Sequence, residues 1–252
     1  MSLKREIEVF DHVGISAETG ETDVWDRVVF PQVIRKREIE RIIQIAEKVN
    51  PKRTLDYGCG TGWVSRVLAS NGYNILGVDT SGSLISSATG LSQKSSHFAI
   101  ADCMNLPLAA ESFDLVVGIA ILHHLDIKNG LSECHRVLRK DGSLLLMEPN
   151  KYNPLAALAR KISPVDTQTP DEEPLSPWHL RNEMEKQGLR IEKFGYLFPY
   201  SFGLSQMLRR TKLDKPVWKP LCGPVIISER VWERLPVLKY LCWVIVVEAK
   251  KA

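Results

Sequence analysis

The sequence predicts a doubly wound α/β fold on a mostly parallel sheet, and three observations carry that prediction. Short apolar runs alternate with helix-length or loop-length polar segments from Thr54 to Met147, the pattern of successive strand–helix–strand units. A glycine-rich turn, Gly58-Cys59-Gly60-Thr61-Gly62, directly follows the first run. Three acids, Asp56, Asp79 and Asp102, stand at the ends of the first three runs.

The elements follow in order. From Pro31 to Val49, Val33, Ile34, Ile39, Ile42, Ile43, Ala46 and Val49 recur at helical spacing, and Pro31 suits a first helical turn. Strands are expected at Thr54–Tyr57, Asn74–Val78, His97–Ala101 and Phe113–Ile119. A helix from Ile127 to Arg139 carries Leu131, Cys134 and Leu138 on one face, Asp141-Gly142 makes a turn, and Ser143–Met147 is a fifth strand. Beyond Pro149 the pattern lapses over Asn153–Pro177, which reads as a lid or insertion, before a helix at Trp178–Gln187. The last strands are expected at Leu189–Leu197 and Leu241–Ala249. About forty residues lie between them, read as a helical, substrate-facing insert because compact domains rarely hold structureless connections of that length. The expected organisation is an N-terminal helical segment or lid over 1–52, a cofactor-binding core over 53–150, and completion of the sheet with insertions over 151–252.

Composition bounds the function. With 44% apolar and 25% charged residues, the chain can bury a sizeable core without a structural metal or disulfides. Five cysteines, Cys59, Cys103, Cys134, Cys222 and Cys242, show no CxxC pair or metal-ligand spacing, so no metal is expected. The charged start, Met1-Ser2-Leu3-Lys4-Arg5-Glu6, lacks the apolar core of a secretory signal, and a cytoplasmic location is expected. The apolar run Tyr240–Val247 is far shorter than the roughly 20 residues of a membrane span. A net charge of +3, without an RNA-binding module pattern, points away from nucleic acid. From Met207 to Ala252 there are ten Lys/Arg against four Asp/Glu. Phe194, Tyr196, Phe198, Tyr200, Phe202, Trp218 and Trp232 lie among or near these basic residues. Core aromatics beneath solvated cations explain that composition; a secondary expectation is peripheral membrane contact, or a lipid-like acceptor.

The glycine turn has chemistry in it. A strand that ends at Asp56 and must turn into a helix near Trp63 needs glycines for positive φ and close backbone approach. In a dinucleotide site a third glycine stands where this chain has Trp63. S-adenosylmethionine has no phosphate to cradle, and its methionine end carries an ammonium, so Asp56 at the loop entrance fits it better. Asp79, about twenty residues on, could accept from both ribose hydroxyls, with Thr80 beside it. Asp102 could accept from the adenine amino group, with Cys103 and Met104 offering backbone contacts. The competing reading of each acid is a helix cap.

These residues resemble the class I S-adenosylmethionine-dependent methyltransferase family, in its subgroup reading LDxGCGTG, GxD, AD, FDxVxxxxxLHHL and RxLxxxG. The matches are Leu55–Gly62, Gly77–Asp79, Ala101-Asp102, Phe113–Leu125 and Arg136–Gly142. The resemblance implies a seven-stranded, Rossmann-like sheet with a final antiparallel hairpin. It implies a methyl transfer to a small-molecule or lipid-like acceptor by in-line displacement, with S-adenosylmethionine held by Asp56, Gly58, Cys59, Gly60, Asp79, Thr80, Asp102, Cys103 and Ile119. Lys140-Asp141-Gly142 departs from the two consecutive glycines of many relatives. Candidate bases are His123, His124 and Glu148, with packing or capping as the competing role of the histidines, and Asn150 and Tyr152 are candidate substrate contacts. Two alternatives stand beside this reading: a non-catalytic cofactor-binding partner subunit, and an NAD(P)-dependent oxidoreductase.

Overall fold

Proline fixes φ and lacks an N–H, so Pro31 opens helix α1 (Pro31–Val49) where the periodicity predicts it. A computed structural model of the protein describes residues 31–92, 94–162, 174–201 and 222–252. After α1 come β1 (Thr54–Tyr57), α2 (Trp63–Ser70), β2 (Ile75–Asp79), α3 (Gly82–Gly90), β3 (Ser96–Ile100) and β4 (Phe113–Ile119). A short 3₁₀ turn at Leu122–His124 leads into α4 (Ile127–Val137) and β5 (Leu138–Pro149). The chain continues through α5 (Pro154–Ile162), α6 (Pro177–Lys186), β6 (Leu189–Leu197), α7 (Cys222–Trp232), a 3₁₀ turn at Leu238–Leu241 and β7 (Val244–Lys251).

The seven strands form one sheet in the order β3-β2-β1-β4-β5-β7-β6. Strands β1 to β5 are parallel, and β7 runs antiparallel between β5 and β6, so the doubly wound architecture and the antiparallel ending both hold. Helices cover both faces, which is why β4 and β5 read as nearly unbroken apolar runs. On one face Ile34, Ile42, Val64 and Leu68 of α1 and α2 pack on Leu115, Val117 and Leu145. On the other, Leu131 and Cys134 of α4 and Leu180 and Met184 of α6 meet Leu55, Val116 and Leu144. Because β1 leads outward through β2 and β3 while β4 leads the other way, the strand order reverses between β1 and β4. In open α/β sheets that reversal marks where a ligand crevice lies, beyond the carboxyl ends of the strands.

Two boundaries differ from expectation for physical reasons. Helix α4 stops at Val137, since Leu138 is already extended (φ −67°, ψ 136°) and pairs with Phe113. The last strand starts at Val244, because Leu238–Leu241 winds into the 3₁₀ turn. Asp141 takes the left-handed conformation (φ 60°) itself, one that Asp tolerates better than most residues. The insert after β6 is helical at α7; Phe202, Trp218 and the rest of 202–221 lie outside the described residues.

One ion-pair cluster ties the two ends of the chain together. Arg37 of α1, 5% exposed, donates to Glu229 of α7 (3.1 Å) and to Glu233 in the turn just past its end (2.6 Å). Their remaining oxygens accept the backbone N–H groups of Phe198, Tyr200 and Ser201, where the chain leaves β6. Two carboxylates on one guanidinium, each also bonded to backbone, compensate for desolvation in the way a buried charge cluster requires. Among the described residues no helix is long and apolar enough to cross a membrane, and no group of His, Cys, Asp and Glu could hold a metal ion.

Candidate cofactor site

Between β1 and α2 the chain turns through Gly58, Gly60 and Gly62, all at positive φ (71°, 52° and 74°). The turn is fastened to β2, since the N–H groups of Gly58 and Cys59 both donate to the Val78 carbonyl. A Cβ at Gly58 would lie 2.4 Å from Ile121 Cγ1, so the loop after β4 rests directly on this glycine. At Gly60 a Cβ would meet nothing within 4 Å. The turn is thus packed from below and from the side, with room above Gly60 for a ligand to approach the backbone.

Asp79 closes this cradle. Its Oδ2 accepts the Gly60 N–H (2.9 Å) and its Oδ1 the Ser81 N–H (3.0 Å), which joins the tip of β2 to the glycine turn. Burial raises its carboxyl above the usual range, against the pull of the N–H groups of Ser81, Gly60 and Thr80 and of nearby His124. One strand further out, Asp102 Oδ1 accepts the Met104 N–H (2.8 Å), making a tight turn after β3. Cys103 is buried below it, and its carbonyl receives the Tyr57 hydroxyl (2.6 Å). Ile119 ends β4, followed by Ala120 at φ 55°, a strained conformation for a residue with a side chain and the kind found where a site fixes its backbone. All of these stand at one edge of the sheet. The arrangement suits a nucleoside carrying a charged amino-acid tail: carboxylates at two adjacent strand ends, Asp79 and Asp102, and an open glycine turn.

Asp56 has different surroundings from those the sequence suggested. Asp56 is 1% exposed and its Oδ2 accepts both the N–H (3.0 Å) and the hydroxyl (2.7 Å) of Ser65 in the first turn of α2. Since Gly62 at the helix start has no side chain to cap with, Asp56 supplies the missing cap from the strand below. The signal was Ser65 itself, three residues inside the helix. Burial pushes the Asp56 carboxyl up to about 7, against the lowering effect of the Ser65 hydroxyl and N–H. Its folded value therefore exceeds the unfolded one, the native state holds the extra proton, and stability should fall as pH rises from about 4 to about 7. The drop expected from this group is up to about 4 kcal/mol, read by urea unfolding across that range. Asp56→Asn should flatten the curve, and an unchanged slope in the variant would refute the assignment. Cys59 is buried, and burial raises its thiol well above the ordinary range, so it fills space beneath the turn without nucleophilic character.

The candidate bases divide. Glu148, 1% exposed at the end of β5, accepts the N–H groups of Ile121 (3.1 Å), Leu122 (2.8 Å) and His123 (3.4 Å), and its Oε2 lies 2.8 Å from His123 Nδ1. It caps the 3₁₀ turn, and this saturated, buried carboxylate is part of the framework. His123 is held by it, its side chain only 3% exposed. His124 lies against His123 with ring centroids 4.0 Å apart and ring planes tilted by 39°, and its charge favours the ionised form of Asp79. Asn150 is likewise framework. Its amide donates to the Tyr240 (2.9 Å) and Cys242 (2.7 Å) carbonyls, and its oxygen accepts the Tyr152 N–H. Tyr152 is 46% exposed, with Trp178 edge-on at 5.1 Å. Sequence reasoning placed the Ile119-Ala120 edge at the site but not Ala120's positive φ, which nothing in an alanine's identity signals; it missed Ile121, which matters only through its contact with Gly58.

With this geometry in view, comparison with known proteins is informative. Residues 55–146 match a family model described as a methyltransferase domain. A demethylmenaquinone methyltransferase of Thermotoga maritima is 33% identical over 112 residues, covering 43% of this chain and 48% of that protein. The chain thus spans about half the length of the curated relatives it matches. Among solved structures, a geranyl diphosphate methyltransferase in complex with S-adenosylmethionine superposes with a TM-score of 0.62 at 13% identity, over 86% of this chain and 87% of that one. A sarcosine dimethylglycine methyltransferase from Galdieria sulphuraria gives 0.60 at 15% identity, over 86% of both chains. The matched segment runs from β1 into β5, the part of the sheet that carries the glycine turn and the three acids.

Proposed function

From a chain with the fold of the class I S-adenosylmethionine-dependent methyltransferases, we propose an enzyme that moves a methyl group from S-adenosylmethionine to a small-molecule or lipid-like acceptor by in-line displacement. The observation that carries the reading is the open glycine turn joined to Asp79, with Asp102 on the next strand. When bound, the cofactor supplies a sulfonium whose methyl carbon is already a strong electrophile. The protein's own task is positioning, which can lower a barrier by roughly 7–11 kcal/mol.

In this reading the backbone at Gly58 and Gly60 receives the methionine end. Asp79 keeps unused lone pairs for the two ribose hydroxyls, and Asp102 faces the adenine with Cys103 beside it. Asp56 acts one step away, by holding the start of α2. Ile119 and the strained Ala120 form the wall nearest the transferred methyl, and Ile121 packs that wall onto the glycine turn. His124, close to Asp79, is the candidate for taking a proton from an acceptor that must lose one. The relatives' acceptors, as named, range from a quinone and a prenyl diphosphate to sarcosine and a malonyl-acyl-carrier protein, and the apolar acceptor proposed here corresponds to the first of these.

Isothermal titration tests the cofactor. Submicromolar to micromolar binding of S-adenosylmethionine is expected, and binding of NAD alone would overturn the proposal. Asp79→Ala should weaken binding by the charge-assisted hydrogen bonds it removes, about 1.5–3 kcal/mol each, or at least tenfold in Kd. Asp79→Asn, which keeps one acceptor oxygen, should fall between. Undiminished affinity in both would remove Asp79 from the site.

A further inference from the structure

Helix α7 carries its polarity the wrong way round for a surface helix. It turns Glu229, with Glu233 in the turn that follows, inward onto Arg37 and the backbone of 198–201, while Ile227 and Val231 on its opposite face are 67% and 57% exposed. Amphipathic helices at a water surface do the reverse. Further exposed aliphatics follow along the chain at Leu235, Val237 (75% exposed) and Leu241. Beside it, Trp178, 55% exposed, stacks on Tyr240 with centroids 5.6 Å apart.

Charge along the same segment has one sign. Arg230, Arg234 and Lys239 flank the exposed aliphatics, and the only carboxylates between residues 222 and 243 are the two that Arg37 holds inside. Arg230 reaches Glu40 of α1, and the Lys239 ammonium lies 5.2 Å from the Tyr240 ring. Aliphatic side chains between cations, with aromatic rings at the margin, are the composition that settles at an anionic lipid interface. A second copy of this chain is a poorer occupant: a two-fold contact sets each patch against itself and would bring these cations together.

We propose that the face formed by α7, the 3₁₀ turn before β7 and Trp178 docks on anionic lipid bilayers. The patch lies at the carboxyl edge of the sheet, because Asn150 at the end of β5 binds the Tyr240 and Cys242 carbonyls. The glycine turn and Asp79 share that edge. Docking there brings the crevice toward the bilayer, and, on the methyltransferase reading above, the acceptor reaches it from the lipid.

The test uses the full chain in sedimentation with vesicles of phosphatidylcholine, with or without phosphatidylglycerol. Binding is expected only when phosphatidylglycerol is present, and it should weaken with added salt. The double variants Val231→Asp/Val237→Asp and Arg234→Glu/Lys239→Glu should each reduce partitioning by about tenfold or more. Val231, Val237 and Arg234 are exposed and Lys239 is half-buried at the surface, so cofactor affinity and melting temperature should stay unchanged; this separates lipid docking from the methyltransferase reading, which titration tests independently. Three results would overturn the proposal: no sedimentation with either vesicle, partitioning that neither variant alters, or a concentration-dependent dimer that Val231→Asp dissolves.

Discussion

Gly58→Ala is expected to cost both stability and cofactor affinity, whereas Gly60→Ala should spare most of the first and lose the second. A Cβ at Gly58 would be forced to within 2.4 Å of Ile121 Cγ1 and 2.5 Å of its Cδ1, at a φ of 71° that is itself unfavourable by about 1–2 kcal/mol. Ile121 can yield only by moving the 3₁₀ turn that Glu148 caps, so a total of about 2–4 kcal/mol is expected. At Gly60 the same methyl enters open space and costs about the backbone term alone. That space is where the ligand must approach, and Kd should rise at least tenfold. Urea unfolding and titration on the two variants decide the matter. Equal stability loss at both sites would mean that the opening above Gly60 is not there.

Glu148→Ala should be the most destabilising single change at the site without being a catalytic lesion in the ordinary sense. It removes the acceptor of one buried and two partly buried backbone N–H groups and the carboxyl partner of the His123 ring. A buried donor so orphaned costs about 1–3 kcal/mol; with partial relaxation, roughly 3–5 kcal/mol is expected overall. Glu148→Gln keeps one acceptor oxygen for Ile121 and Leu122 and should recover part of the loss. Were Glu148 a proton acceptor in the reaction, the glutamine variant would be fully stable and inactive. A stable, inactive Glu148→Gln would therefore refute the framework role.

The sheet was legible because a strand buried on both faces must be apolar at nearly every position, as Phe113–Ile119 and Ser143–Met147 are. The glycine turn was legible because few other residues accept three positive φ values within five positions. The strand-end acids were legible in place but not in partner. Asp79 and Asp102 stand at the crevice edge, while Asp56 turns down to Ser65 and Glu148 to the loop after β4. A carboxylate's position along a strand is written in the sequence; which unpaired N–H lies nearest depends on how the next helix starts. Asn150 was misread for the same reason, since its partners, the Tyr240 and Cys242 carbonyls, lie some ninety residues away. The inverted polarity of α7 was hidden too, because a helix with two acids facing one way suggests that those acids meet water. Only Arg37, contributed by the opposite end of the described chain, reverses the inference.

Strand β7 fills the slot between β5 and β6 although both are made before it. During synthesis the outer strand, ending at Leu197, has no hydrogen-bonding neighbour until Val244–Lys251 emerges. At about 5–20 residues per second that gap lasts on the order of a few seconds. Two bare ladder edges then coexist in the nascent chain, each able to recruit a strand from another molecule. The same order of events keeps Arg37 waiting for Glu229 and Glu233, so the last fifth of the chain closes the sheet and neutralises the first described helix in a single late step.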